Sequence, residues 1–204
     1  MPGRVEDVAT ERRWPAWAAS ARATGAASSL SVALPIQEAV VGALNIYGRA
    51  PRALTEVVQL AQTFARPCGS RRYYRVTKAA LDHLPENSAI INTASINGLK
   101  GNGHLIDYSA TKGAIIALTY SLAQSLIKKR IRVNCVAPGP VWTPLIPATF
   151  PADKVQEFGQ QMPMGRAAQP DEIAPSYVFF ASDQLSSYYT GEVLAPIGGI
   201  TLPD

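Results

Sequence analysis

The 204-residue chain is poor in the side chains that build metal and redox centres: it has two cysteines, two histidines and three methionines. Cys68 and Cys135 stand far apart and form no paired spacing. This excludes a thiol redox motif or a sulfur-rich zinc site on pattern, and predicts buried or free thiols in a reducing cytoplasm, with no metal bound. Long apolar runs are also missing. Nothing approaches the roughly 18 apolar residues of a membrane span. The N-terminus carries Glu6, Asp7 and Glu11 where a secretory leader would be apolar. No membrane partner is expected. Lysine is absent from residues 1–75, which hold ten arginines and five acids, a balance of +5; residues 76–204 hold six lysines, three arginines and ten acids, a balance of −1. The arginines stand singly or in pairs without interleaved aromatics, so no nucleic-acid partner is expected. What the imbalance does mark is two parts of the chain with different composition.

What is present is ordinary for a globular protein, with 47% hydrophobic and 17% charged residues. Residues 1–26 are rich in Ala and Arg without a hydrophobic period and are expected to be poorly ordered. LSVALPI at 30–36 alternates as a strand, with Pro35 pointing to an edge. VVGALNIY at 40–47 reads as a second strand, close enough to pair with the first. Thr55 is an N-cap for a short helix carrying Val57, Val58, Leu60, Ala61 and Phe64. RPCGSRR at 66–72 reads as a linker, with the seam between the two parts set at 67–74. Beyond it Tyr73, Val76, Ala80 and Leu84 recur at helical spacing, and Pro85 stops the helix. AIINTAS at 89–95 is a short buried strand. Asp107 to Arg130 is a long helix with an apolar stripe of Ile115, Leu118, Leu122 and Leu126, ending in the basic residues favoured at a helix C-terminus. IRVNCVA at 131–137 is a strand, Ile173 to Ser182 a helix, and EVLAPIGG a final strand. Strands alternating with helices predict an α/β fold with a partial, Rossmann-like parallel sheet, preceded by a strand–strand–helix segment. The expected divisions are 1–26, 27–66, 67–74 and 75–204.

The chemistry concentrates in DYSATK at 107–112. Tyr108 and Lys112 stand one helical turn apart on one face. A free phenol has a pKa of about 10, and an adjacent ammonium favours the phenolate, which predicts a lowered pKa and proton exchange near neutral pH. Ser95 lies at the C-terminal end of a predicted parallel strand, the edge where ligands bind in open α/β sheets. A half-exposed Tyr beside a solvated Lys explains the isolated pair equally well.

The surrounding residues are more specific. INTASI, DYSATKGAIIALTYSLAQSL, IRVNCVAPGPVWTP, PMGRAAQPDEIAPSYVFFASD and TGEVLAPIGG closely resemble the second half of a short-chain dehydrogenase/reductase, over about residues 75–200. The resemblance implies reversible hydride transfer between NAD or NADP and a small alcohol or carbonyl substrate. It implies Tyr108 as acid/base, Lys112 lowering its pKa and bonding the nicotinamide ribose, and Ser95 orienting the substrate oxygen. Pro138, Gly139, Val141 and Thr143 would line the nicotinamide, and helix 107–128 would carry a homo-oligomer surface. Trp142, Leu145, Ile146 and Phe150 are candidates for substrate lining or for ordinary lid packing. Separately, residues 29–65, SLSVALPIQEAVVGALNIYGRAPRALTEVVQLAQTFA, resemble the closing part of a GAF sensor domain.

Part of the reductase pattern is missing. Thr24-Gly25-Ala26-Ala27-Ser28 imitates the start of the family's glycine-rich phosphate turn, but Ser29 and Ser31 stand where further glycines belong. Gly98, Gly101 and Gly103 read as a surface loop. The family's catalytic Asn falls near Gly69. Half a parallel sheet is also expected to leave an apolar strand edge open. The alternative expectation is therefore a truncated or chimeric, non-catalytic chain acting in self-association or regulation.

Overall fold

A computed structural model of the chain describes residues 3–13, 15–23, 25–36, 39–48, 51–52 and 69–202. One sheet has the order β1 (Gly3–Val5), β2 (Ser28–Ile36), β3 (Ala39–Gly48), β4 (Ala89–Thr93), β5 (Arg132–Val136), β6 (Val193–Leu194). Strands β1 to β4 are successively antiparallel, whereas β4, β5 and β6 run parallel. The helices are α1 (Pro15–Ala23), α2 (Gly69–Ala80), α3 (Ile96–Lys100), α4 (Ile106–Leu126), α5 (Leu145–Thr149), α6 (Ala152–Glu157), α7 (Pro170–Ala181) and α8 (Asp183–Ser186).

Helices cover both faces of the parallel strands, which explains why β4 and β5 are apolar almost without alternation and buried almost throughout. Ile90, Val133 and Cys135 pack on one face with Tyr73, Val76 and Ala80 of α2 and with Ile115, Leu122 and Leu126 of α4. Ile91 and Val136 face the other way, toward Ile173 and Phe180 of α7. Arg132 is a buried cation within this region. Its guanidinium donates to the Phe180 carbonyl at 2.8 Å and the Ser186 hydroxyl at 3.0 Å, and lies 3.2 Å from Asp183. These bonds tie β5 to the end of α7 and to α8. Asn134 accepts from the Glu192 amide at 3.0 Å and donates to the Tyr189 carbonyl at 2.9 Å, which seats the approach to β6.

The N-terminal region departs from the sequence-based picture. Where little order is expected before residue 27, β1 pairs with β2 and α1 follows. Pro15 supplies the preset φ of a first helical residue and the alanines supply propensity. Val5, Val8, Ala18, Ala21 and Ala26 then form a small cluster of their own, and Arg22 donates to the Val8 carbonyl at 3.1 Å. The expected pairing of two strands around 30–36 and 40–47 is present, with Val32 opposite Leu44. Pro35 is tolerated because β1 covers only Ser29–Ser31, leaving Pro35 beyond its reach beside a register irregularity. The helix expected behind Thr55 lies outside the described residues.

Two boundaries move as well. Gly69 to Arg72, read as linker, are the first turn of α2, because the buried stripe Tyr73–Val76–Ala80 continues the helix back through a polar segment. Helix α4 ends at Leu126, where a 3-10 turn over Ile127–Lys129 and Arg130 at φ 53° close it. The edge of β4 expected to be open is paired instead: β3 lies along it, with Leu44 opposite Asn92 and Tyr47 opposite Ala89. The final strand is short, only Val193–Leu194.

Candidate active site

The site begins where β4 and β5 end side by side. Pairing continues past both strands, from the Ala94 amide to the Val136 carbonyl at 2.8 Å and from the Ile96 amide to the Pro138 carbonyl at 3.0 Å. Ser95 is thereby held against Pro138 at the carboxyl edge of the sheet. It also caps α3: its backbone is extended and its Oγ accepts the Asn97 amide at 3.3 Å. Helix α4 starts at Ile106, so Tyr108 falls in its first turn and Lys112 one turn later.

Lys112 is only 2% exposed. Its Nζ donates to the Thr93 carbonyl at 3.1 Å and sits 5.5 Å from the centroid of the Tyr108 ring. Tyr73 of α2 donates to the same Thr93 oxygen at 3.1 Å. The Thr93 hydroxyl is 2.9 Å from the Tyr177 hydroxyl of α7. The last residue of β4 thus gathers side chains from α2, α4 and α7. Sequence reasoning placed Tyr73 on an apolar stripe and singled out neither Thr93 nor Tyr177. The available signal was that a buried Tyr needs a partner for its hydroxyl.

The electrostatics correct one expectation. Burial raises the pKa of the Tyr108 phenol above its ordinary value, and the nearby Ser95 hydroxyl opposes this. The lowering expected from Lys112 is not what dominates, because the phenolate loses more solvation than it recovers. Burial also takes the Lys112 ammonium down to about 8, with Cys135 acting the other way. Cys135 is itself pushed up to about 11 by burial. The resting site is therefore a neutral phenol near Ser95, with a cation behind its ring. A neutral phenol is equipped to donate a proton to an oxygen bound beside Ser95.

The loop leaving β5 starts beside this group, at Pro138. Gly139 donates its amide to the Pro196 carbonyl at 3.1 Å, and a Cβ there would come within 3.2 Å of the Ile197 Cα. Val141 forms an isolated parallel bridge with Ala168, and the Thr143 carbonyl accepts the Ile146 amide that opens α5. Trp142 and Phe150 flank Phe158, with ring centroids 6.4 and 5.9 Å from it. Of the four apolar candidates only Ile146 is buried, and Phe158, which sequence reasoning missed, is the centre of the aromatic group. Gly139 and Pro140 also line a cleft of about 140 Å³ with Met162, Arg166, Glu172 and Ile197. Ser95, Tyr108 and Lys112 are not among its walls, so this cleft and the proton-transfer group are separate features sharing the β5 loop.

A family model described as Enoyl-(Acyl carrier protein) reductase matches residues 45–201. The chain belongs to the short-chain dehydrogenase/reductase family. It is 59% identical over 127 residues to NADPH-dependent aldehyde reductase 1, chloroplastic, of Arabidopsis thaliana, covering 62% of this chain and 44% of that protein. It is also 59% identical over 127 residues to glucose and ribitol dehydrogenase of Daucus carota, covering 62% and 43%. A crystal structure of a short-chain glucose/ribitol dehydrogenase from Brucella melitensis is similar with a TM-score of 0.58 and 34% identity, over 65% of this chain and 53% of that one. The chain thus spans about half the length of the relatives it matches. The reductase match begins at residue 45, inside the segment that resembles a GAF domain, and the GAF resemblance is not supported.

Short-chain dehydrogenases/reductases generally use NAD(P). In Rossmann-type sheets the pyrophosphate sits at a glycine-rich strand-to-helix turn, where the strand order reverses. Here the order among the described residues runs from β1 to β6 without reversal, and β1 to β3 are antiparallel. Tyr108, Lys112, Pro138 and Gly139 stand together at the carboxyl edge of β4 and β5, a set of the kind a nicotinamide and its ribose would require. No such glycine-rich turn lies at a reversal of strand order among the described residues. Among the described residues no group of three or more His, Cys, Asp or Glu is placed to hold a metal ion, and no helix is long and apolar enough to cross a membrane.

Proposed function

We propose that this chain carries the proton-transfer half of an NAD(P)-linked reductase site acting on a small alcohol or carbonyl compound. The observation that supports it is the meeting of Ser95, Tyr108 and buried Lys112 at the carboxyl edge of β4 and β5. The Ser95 hydroxyl bonds and orients the substrate oxygen. Tyr108, neutral at rest, gives its proton to that oxygen as it becomes an alkoxide, and takes it back in the reverse direction. The Lys112 cation stabilises the phenolate left behind and would bond the ribose. Pro138, Gly139, Val141 and Thr143 would border the nicotinamide, whose reduced form, NADH or NADPH, would supply the hydride, the oxidised form accepting it in the reverse direction. The relatives named for aldehyde, glucose and ribitol support a carbonyl or polyol substrate. Turnover of aldehydes and polyols with each nicotinamide, in wild type and Tyr108→Phe, tests this. Loss of turnover by roughly 10²- to 10⁴-fold with cofactor binding retained is expected. Equal turnover in the variant would remove Tyr108 from the mechanism.

A second reading draws on the same structure. The unreversed strand order, and the bond that engages Lys112 with Thr93, favour a non-catalytic chain that self-associates along α4, where Ile106 and Tyr120 are exposed. A defined dimer by sedimentation, without nicotinamide binding, would select it.

A further inference from the structure

Gly98 belongs to the group of glycines that reads as surface loop in the sequence, and its surroundings are not those of a loop. It lies in α3, the short helix capped by Ser95, and its amide donates to the Ser95 carbonyl at 2.9 Å. A Cβ at this position would lie 2.7 Å from the Lys112 carbonyl carbon, 2.8 Å from the Gly113 nitrogen and 2.9 Å from the Lys112 Cβ. Helix α3 therefore rests directly on the backbone of α4 at Lys112. By contrast Gly101 and Gly103 have nothing within 4 Å of such a Cβ, and a Cβ at Gly113 would meet the Gly98 oxygen at an ordinary 3.5 Å. The contact is one-sided: only the α3 partner has to be glycine.

We propose that Gly98 is a positioning residue of this site, setting the distance between Ser95 at the start of α3 and Tyr108 and Lys112 on α4 through backbone-to-backbone contact. Because the clashing atoms are main chain and a Cβ fixed to it, no side-chain rotation relieves an added methyl. The two helices must separate by several tenths of an ångström, and Ser95, three residues from Gly98 and bonded to it, moves with α3. Proton transfer between groups held by two different elements is sensitive on that scale; a misplacement of about 1 Å costs on the order of 10²-fold in rate. The proposal rests on the reading of Ser95 and Tyr108 as partners in the reductase site.

The test reads the pair without requiring turnover. With ring-labelled tyrosine, NMR follows the Tyr108 phenol titration in wild type, Ser95→Ala, Gly98→Ala, the double variant and Gly113→Ala. Gly98→Ala is expected to move the titration upward in the direction of Ser95→Ala, the double variant to add nothing to Ser95→Ala, and Gly113→Ala to leave it unmoved. A Gly98→Ala titration identical to wild type would overturn the proposal, as would an equal shift in Gly113→Ala or an undiminished shift in the Ser95→Ala background. If Gly98→Ala does not fold, a wild-type measurement decides: a strong cross-peak between a Gly98 Hα and the Gly113 amide proton is required, and its absence refutes the contact. Absence of turnover in all forms would reject the reductase reading while leaving these results interpretable on their own.

Discussion

The sheet has two halves that solve the same problem differently. Strands β4 to β6 are parallel, covered by helices on both faces, and end together so that Ser95 and Pro138 lie side by side. Strands β1 to β3 form an antiparallel meander whose associated cluster is five small or β-branched residues. The first half aligns strand ends and hence converges loops; the second returns the chain at each turn and sends successive ends to opposite edges. Only the parallel arrangement concentrates polar groups at one edge. The antiparallel half serves by closing the edge of β4, which would otherwise be unpaired.

The largest test of this contrast is Arg132→Ala. Removing a buried cation that holds Phe180, Ser186 and Asp183 is expected to cost about 3 kcal/mol in denaturant unfolding. A loss under about 1 kcal/mol would show that β5 is not anchored through it. Next, the same substitution can be placed in each half. Val133 and Val8 are both fully buried, yet Val133→Ala opens the main core and Val8→Ala a small cluster that can close up. Expected losses are about 2–3 kcal/mol for Val133→Ala and about 1 kcal/mol for Val8→Ala. Equal losses would mean that the N-terminal cluster is as tightly determined as the core.

The smallest effect is on pH. Folding lowers Lys112 from 10.5 to about 8, so between those values the unfolded chain binds more protons and stability rises with pH. Cys135, raised from 9.0 to about 11, reverses the sign above pH 9, and the raised tyrosines add to that reversal. A gain of about 1 kcal/mol from pH 8 to 9 is expected, followed by a decline. Thermal unfolding of Lys112→Met should lack the rise; an unchanged rise would assign it to another group.

These contrasts also explain what could be read from the sequence. AIINTAS, DYSATK and IRVNCVA are local signals in a region whose burial is two-sided, and their strands and helix form where expected. Strand β1 could not be read, because three residues become a strand only by pairing with Ser29–Ser31. Helix α2 was hidden at its start by RPCGSRR, whose composition resembles a linker although Tyr73 and Val76 are buried on it. Helical spacing correctly put Tyr108 and Lys112 on one face. It carried no information on depth, so the direction of the Tyr108 shift was misjudged, and Lys112 proved to be engaged by the Thr93 carbonyl.

The most direct measurement is a titration of the purified chain with NADH and NADPH, following nicotinamide fluorescence together with melting temperature. The proposed nicotinamide end, with no pyrophosphate turn among the described residues, predicts saturable but weak binding, with fluorescence and stability both rising toward millimolar cofactor. No change in either signal at millimolar concentration would contradict the reductase reading and leave self-association as the function to pursue.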